Sequence, residues 1–365
     1  MRDPLFDSDP FDFSPANQRL FAESLKNNLI HHYENCENYQ KLLKYKEFNP
    51  YTFDYTNLAN LPYVMVNLYK TQYFQSQPDD KIVLTLTSSG TAGQKSVQRL
   101  DQHSLDQVKH LAFNVYQSLG ATSHIKTSYM CFTYDPHIAK DLGTAFTDEL
   151  LTSFTPSEDV FYSFQWDEDK KDFVFMKEQV IATLKKWGQE KRNVRILGFP
   201  AFLWDILQTS DIQLSLGADS WLLTGGGWKN HADQEISKSD FRKIVQKRLG
   251  IPRENCRDLF GMVEHGIPYV DCRDGYFRIP NYSRVLIRDP YTLKVLPYGE
   301  SGLIQFICSY NTSYPCSSIL TTDWGRIIKS TTEHPADILQ LQGRAGLKKH
   351  KGCALKALEL LGATP

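Results

Sequence analysis

No two of the seven cysteines are spaced as a CxxC pair. Cys36, Cys131, Cys256, Cys272, Cys308, Cys316 and Cys353 are scattered and odd in number, so neither a disulfide framework nor a zinc site is indicated. An excess of charge of one sign is missing too. The 41 Lys and Arg stand against 42 Asp and Glu, a net charge of −1, which excludes a chain-wide field drawing in nucleic acid or an anionic membrane. No apolar run approaches the roughly 18 residues of a membrane span. The start, MRDPLFDSDPFDFSP, is acidic and broken by proline, the opposite of a basic segment followed by an apolar one. These absences predict a soluble cytoplasmic protein with no nucleic-acid role and no membrane span. Internal repeats and low-complexity tracts are absent as well. What is present is 365 residues with 41% hydrophobic content, enough for a substantial core divided into two or three lobes.

The apolar spacing sets out those lobes. Ser14-Pro15 reads as an N-cap with proline at the first helical position, and Leu20, Phe21, Leu25, Leu29, Ile30 and Tyr33 then recur at helical spacing. Residues 49–80 have no clear period and read as loop and short helix. KIVLTLT (Lys81 to Thr87) is β-branched and apolar, which predicts a short buried strand, and a helix follows from about Asp101 to Gly120. VRILGFP, AFLWDILQ and DSWLLTGGGW continue as strand, helix and strand, an α/β alternation. Beyond Gly275 the segments YFRIP, SRVLIRD and GLIQFIC alternate around turns and predict antiparallel hairpins. The divisions expected are a helical lead-in over 1–80, an α/β core over 81–275, a β-rich lobe over 276–330 and a short tail over 331–365.

Between strand and helix lies SSGTAGQKS. It is not a Walker loop, because Gly90 and Gly93 are three apart and Gln94 intervenes before Lys95. Its hydroxyls, its glycine-freed backbone N–H groups and one lysine are nevertheless what a polyphosphate needs, and an ordinary polar loop is the alternative. Four later segments carry chemistry of their own. TGGGW (Thr224 to Trp228) lets a flat ring approach the backbone where no Cβ stands in the way. RDLFGMVEHG places Glu264 after an aromatic-Gly turn, where a carboxylate suits Mg²⁺ against phosphate oxygens. LTTDWGRI presents Asp323 just after a strand, fit to accept hydrogen bonds from ribose hydroxyls. LQGRAG supplies Arg344, a fixed fork for a ribose or phosphate, beside glycines that suit a hinge.

In this order the segments resemble the adenylate-forming superfamily of acyl- and aryl-CoA ligases and peptide-synthetase adenylation domains. The resemblance spans about residues 80 to 346. It carries Ser88, Ser89, Gly90, Thr91, Gly93 and Lys95 on the triphosphate; Gly226 and Gly227 with Phe260, Gly261 and Glu264 around adenine and Mg²⁺; Thr322 and Asp323 on ribose; and Gly343 and Arg344 before the mobile end. It implies an α/β adenylate-forming fold with layered subdomains and a small β-rich lobe, and it implies ATP and Mg²⁺. The family's usual proline before the loop lysine is absent.

Members of the superfamily continue past the Gly-Arg pair into a domain with a late lysine that assists adenylation, whereas here only a truncated C-terminal tail follows, with no counterpart of that lysine. KGCAL (Lys351 to Leu355) in this tail is similar to the Gly-Cys-x-Leu element of the acyl-protein synthetases of bacterial fatty-acid reductase complexes, the LuxE type. That resemblance implies activation of a long-chain fatty acid as acyl-AMP, transfer to Cys353 and delivery to an acyl-CoA reductase partner. The surrounding chemistry agrees. Lys348, Lys349, His350 and Lys351 precede the thiol, and CALKALELL reads as a short helix starting at it; cations and a helix N-terminus both favour thiolate. An acyl- or aryl-CoA ligase and a non-catalytic nucleotide-binding subunit are the alternatives. His265 and His137 are candidates for the acid site, with a core histidine the competing account of His265.

Overall fold

The computed structural model describes residues 3–87, 96–136, 138, 143–226, 236–273, 275–331 and 335–344. Helix α1 (Pro15–Asn35) starts where expected: the Ser14 hydroxyl accepts the Asn17 N–H at 3.4 Å, Pro15 supplies the fixed first torsion, and Phe21, Leu25 and Leu29 face the core. After α2 (Glu37–Tyr45) the chain runs irregularly to β1 (Val64–Met65), then β2 (Ile82–Thr87) and β3 (Val97–Asp101). Asp101 caps α3 (Gln102–Ser118) by accepting the Ser104 N–H at 2.8 Å.

There follow β4 (Thr127–Tyr134), α4 (Gly143–Thr152), β5 (Ser157–Asp167), β6 (Asp172–Phe175), α5 (Lys177–Gln189), β7 (Val194–Gly198), α6 (Pro200–Thr209), β8 (Trp221–Gly225) and α7 (Lys238–Leu249). The remaining strands are β9 (Cys256–Phe260), β10 (Tyr269–Val270), β11 (Phe277–Arg278), β12 (Ser283–Arg288), β13 (Ser301–Cys308), β14 (Ser318–Ile328) and β15 (Ile338–Arg344).

Two large sheets result. The first has the order β10-β9-β8-β7-β4-β5-β6, with the five strands from β9 to β5 parallel and an antiparallel strand at each edge. Strand order reverses between β4 and β7, because β5 lies on one side of β4 and β7 to β9 build outward on the other. Such a reversal opens a ligand crevice at the carboxyl ends of the strands. One face of the sheet is covered by α5, α6 and α7 through Leu184, Trp187, Phe202, Ile206 and Val245, all buried. The other joins a core shared with α1 to α3 and the second sheet.

The second sheet is the antiparallel β11-β15-β14-β13-β12, as the alternating segments predict, with β1 added in parallel to β14. Strand β2 differs from the expected buried strand. Among the described residues it pairs only with β3, in a two-stranded ribbon, leaving Val83 and Val97 about half exposed while Leu86 and Leu100 turn inward. The reason is partnership: one neighbour strand covers one edge, so alternate residues remain in water. Residues 88–95, which join β2 to β3 in the sequence, lie outside the described residues. No helix among the described residues is long and apolar enough to cross a membrane.

Candidate active site

The parallel strands β8 and β9 put two glycine-containing turns side by side. Gly225 lies opposite Leu259, and the Thr224 hydroxyl donates to the Asp258 carboxylate at 2.5 Å, so the turns leave the sheet together. Gly226 has φ 76°, and a Cβ there would come within 2.8 Å of the Phe199 ring, which leaves glycine the one residue that fits. Phe260 ends β9 and stacks on Phe306 of β13 at 5.7 Å, tying the two sheets at the site, while Gly261 has no atom crowding the place of a Cβ.

Beyond Gly261 the turn closes through the His265 and Gly266 N–H groups onto the Met262 carbonyl, at 3.1 and 2.9 Å. Two tyrosines of the segment between β13 and β14 grip it: Tyr314 donates to the Val263 carbonyl and Tyr310 to the His265 carbonyl, each at 3.1 Å. That segment is anchored in turn by α1, through Asn28 and His32 on the Asn311 carbonyl. Glu264 is thus held by contacts from distant parts of the chain. Its carboxylate, buried to 6% exposure, accepts the hydroxyl of Ser96. Ser96 directly follows the SSGTAGQK loop, so the loop's exit and the carboxylate meet across 168 positions.

Asp323 does not follow a strand as expected but lies within β14, beside a register shift between Trp324 and Gly325. It pairs across the ladder with Arg344, whose Nε donates to Oδ1 at 2.9 Å. The aspartate expected at ribose and the arginine expected at ribose or phosphate are therefore one ion pair. Arg344 is partly exposed, so the pair stabilises little by itself, and its value lies in orienting both groups.

Mg²⁺ takes one or two protein carboxylates and completes its shell with water and phosphate oxygens. A single fixed carboxylate fits that need, and Glu264 beside the loop exit supplies it. Among the described residues no group of three or more His, Cys, Asp or Glu gathers as an all-protein metal cage. Ser88, Ser89, Gly90, Thr91, Gly93, Lys95, His137, Gly227 and Cys353 lie outside the described residues. Tyr310 and Tyr314 escaped the sequence reading, and Ser96 entered it as the last hydroxyl of SSGTAGQKS without a role of its own.

His265 is a core residue. It is fully buried, its Nε2 lies 2.8 Å from the Tyr269 hydroxyl, and its ring stacks on Tyr269. Burial lowers it to about 3, and burial together with neighbouring His31 does the same to His32. Above pH 6.5 both folded and unfolded chains leave these rings neutral. Below it the unfolded chain takes up protons that the folded one refuses, so stability falls by about 1.4 kcal/mol per pH unit for each ring. Asp271, pushed up to about 6 by burial and by Asp258, opposes this from pH 6 down to its ordinary range by keeping a proton in the folded chain. The expected net result is a urea midpoint that declines from pH 6.5 to 4.5, less steeply in a His32→Asn chain. A midpoint flat across that window would contradict the assignment.

A family model described as acyl-protein synthetase, LuxE, matches residues 1–361. Two curated relatives are each called long-chain-fatty-acid–luciferin-component ligase. That of Vibrio harveyi is 24% identical over 358 residues, 97% of this chain and 91% of the relative. That of Aliivibrio fischeri is 23% identical over 368 residues, 98% and 93% respectively. Among solved structures, an open conformation of 2-hydroxyisobutyryl-CoA ligase in complex with 2-HIB-AMP and CoA is similar, with a TM-score of 0.68. The match has 11% identity and covers 95% of this chain and 80% of that one, a likeness of fold.

Proposed function

Because the chain belongs to the LuxE acyl-protein synthetase family, we propose that it is an ATP-dependent ligase that activates a long-chain carboxylic acid as acyl-AMP and moves the acyl group to Cys353 for delivery to an acyl reductase partner in the cytoplasm. The observation that carries the reading is the buried Ser96–Glu264 contact, which brings the exit of the hydroxyl-rich loop to the carboxylate of the aromatic-Gly-x-x-Glu turn.

In the first half-reaction a carboxylate oxygen of the acid bonds to the α-phosphorus of ATP as the bond to pyrophosphate breaks. The substrate carboxylate is already ionised, so no side-chain base is required. The protein's work is positioning and charge neutralisation. Ser88 to Lys95 hold the phosphates, the Gly226–Gly227 and Phe260–Gly261 turns frame adenine, and Asp323, oriented by Arg344, takes the ribose. Glu264 would hold Mg²⁺, which neutralises phosphate charge when bound. In the second half-reaction the Cys353 thiolate bonds to the acyl carbon and AMP leaves with the electron pair. The other six cysteines support this choice, since all are buried, and burial pushes Cys256 up to about 12 and raises Cys308 as well.

The test is pyrophosphate exchange into ATP with Mg²⁺ and a panel of fatty acids. Exchange that requires the acid is expected, together with a protein mass increase of one acyl group. Nucleotide binding without exchange would overturn the enzymatic reading, and exchange with the acyl group passing only to added coenzyme A would make it an acyl-CoA ligase.

A further inference from the structure

The shared-core face of the large sheet carries a void. Residues two apart on a strand face the same side, so Trp221, Leu223 and Gly225 form one column on β8. Arg195 and Leu197 lie beside the first two on β7, with Tyr129 and Cys131 next on β4. A cavity of about 30 Å³ opens between this face and the helical layer, lined by Tyr129, Leu197 and Leu223 from the sheet and by Tyr116, Ala121 and Phe154 opposite. In this measure it holds roughly the last one or two carbons of an alkyl chain. Close-packed interiors rarely keep such a void, and an apolar one stays dry until an apolar group enters.

Its end away from the strand termini is closed by an unusual wedge. The Trp221 ring has the Arg195 guanidinium 5.6 Å from its centroid and that of Arg257 at 5.3 Å. Both arginines are buried and tethered: Arg195 to the Asp219 carbonyl and, at 3.2 Å, to its carboxylate; Arg257 to the Asp271 carbonyl at 3.0 Å. The ring is therefore held against tilting. At the other end the same column reaches Gly225, beside the crevice where strand order reverses. Four residues at about 3.3 Å each separate Gly225 from Trp221, roughly 13 Å. An extended alkyl chain advances about 1.25 Å per carbon when C–C bonds are near 1.5 Å, so this column spans about ten carbons.

We propose that Trp221, wedged between Arg195 and Arg257, is the floor of the acyl-chain pocket and sets the longest acid the protein activates. The inference rests on the acid activation proposed above. A longer chain would have to displace an aromatic ring pinned by two charged groups, whereas a chain of matching length fills the void with its terminal carbons.

The experiment is the exchange assay across even-numbered acids, read as the ratio of kcat/KM for the longest good substrate to that for an acid four carbons shorter. One methylene in an apolar pocket is worth about 10-fold or more. Ala121→Leu, which fills the void, is expected to lower the ratio at least about 10-fold, and Trp221→Leu to admit acids at least two carbons longer. Fatty acids brominated at the terminal carbon should quench tryptophan emission, and Trp221→Phe should remove that quenching. Exchange with unchanged ratios in both Leu variants, or quenching that persists in Trp221→Phe, would overturn the floor and leave the activation reading standing. Absence of exchange with every acid in the unaltered chain would overturn both.

Discussion

A Cys353→Ala chain is expected to form no hydroxylamine-sensitive acyl-protein, a loss of at least about 10³-fold in the rate of thioester formation, while its acid-dependent pyrophosphate exchange continues. The two half-reactions use different groups. Acyl-AMP forms by attack of the substrate's own carboxylate, in which the thiol has no part, whereas the transfer step loses its nucleophile outright. No other thiol in the described region is placed to substitute, because Cys36, Cys131, Cys256, Cys272, Cys308 and Cys316 are all buried. The Cys308 and Cys316 sulfurs lie 3.8 Å apart in the core, both fully buried. Intact mass after incubation with ATP, Mg²⁺ and acid reads the result directly. An adduct of full yield on the alanine chain would move the acceptor elsewhere, and a parallel collapse of exchange would show that residue 353 serves the adenylation step instead.

Glu264→Gln is expected to lower kcat/KM for exchange by about 10²- to 10³-fold, the usual effect of removing one electrostatic contact to a developing charge in a water-poor site. Glutamine keeps the size of the side chain and can still accept the Ser96 hydroxyl, so the turn gripped by Tyr310 and Tyr314 should hold its shape. Stability should therefore be unchanged or slightly higher. A buried carboxylate pays a desolvation cost that a neutral amide avoids. The combination of a large kinetic loss with an undiminished urea midpoint separates a metal-holding carboxylate from a structural one, which would lose stability instead. Exchange within about 3-fold of the unaltered chain would remove Glu264 from the site.

The α/β alternation of the middle of the chain could be read in advance because it is written in short-range pattern. β7, α6 and β8 follow directly from VRILGFP, AFLWDILQ and the strand before three glycines, and Ser14 and Asp101 cap their helices through neighbours three residues away. The order of the glycine turn, the Glu264 turn, Asp323 and Arg344 was legible for the same reason, since each is a local cluster of residue types. The exposure of β2 was not, because it depends on how many strands pair with it.

The sequence by itself determined the list of groups available for the chemistry, the type of most elements, and the resemblance that the family match bears out. Only the tertiary structure decided which groups meet. Ser96 reaches Glu264, Arg344 reaches Asp323, Tyr310 and Tyr314 secure the turn, and Arg195 and Arg257 enclose Trp221. Each of these contacts joins residues at least 21 positions apart. Such contacts form when packing of the two sheets compensates the entropy of closing long loops, a balance set by the whole core and carried by no local pattern.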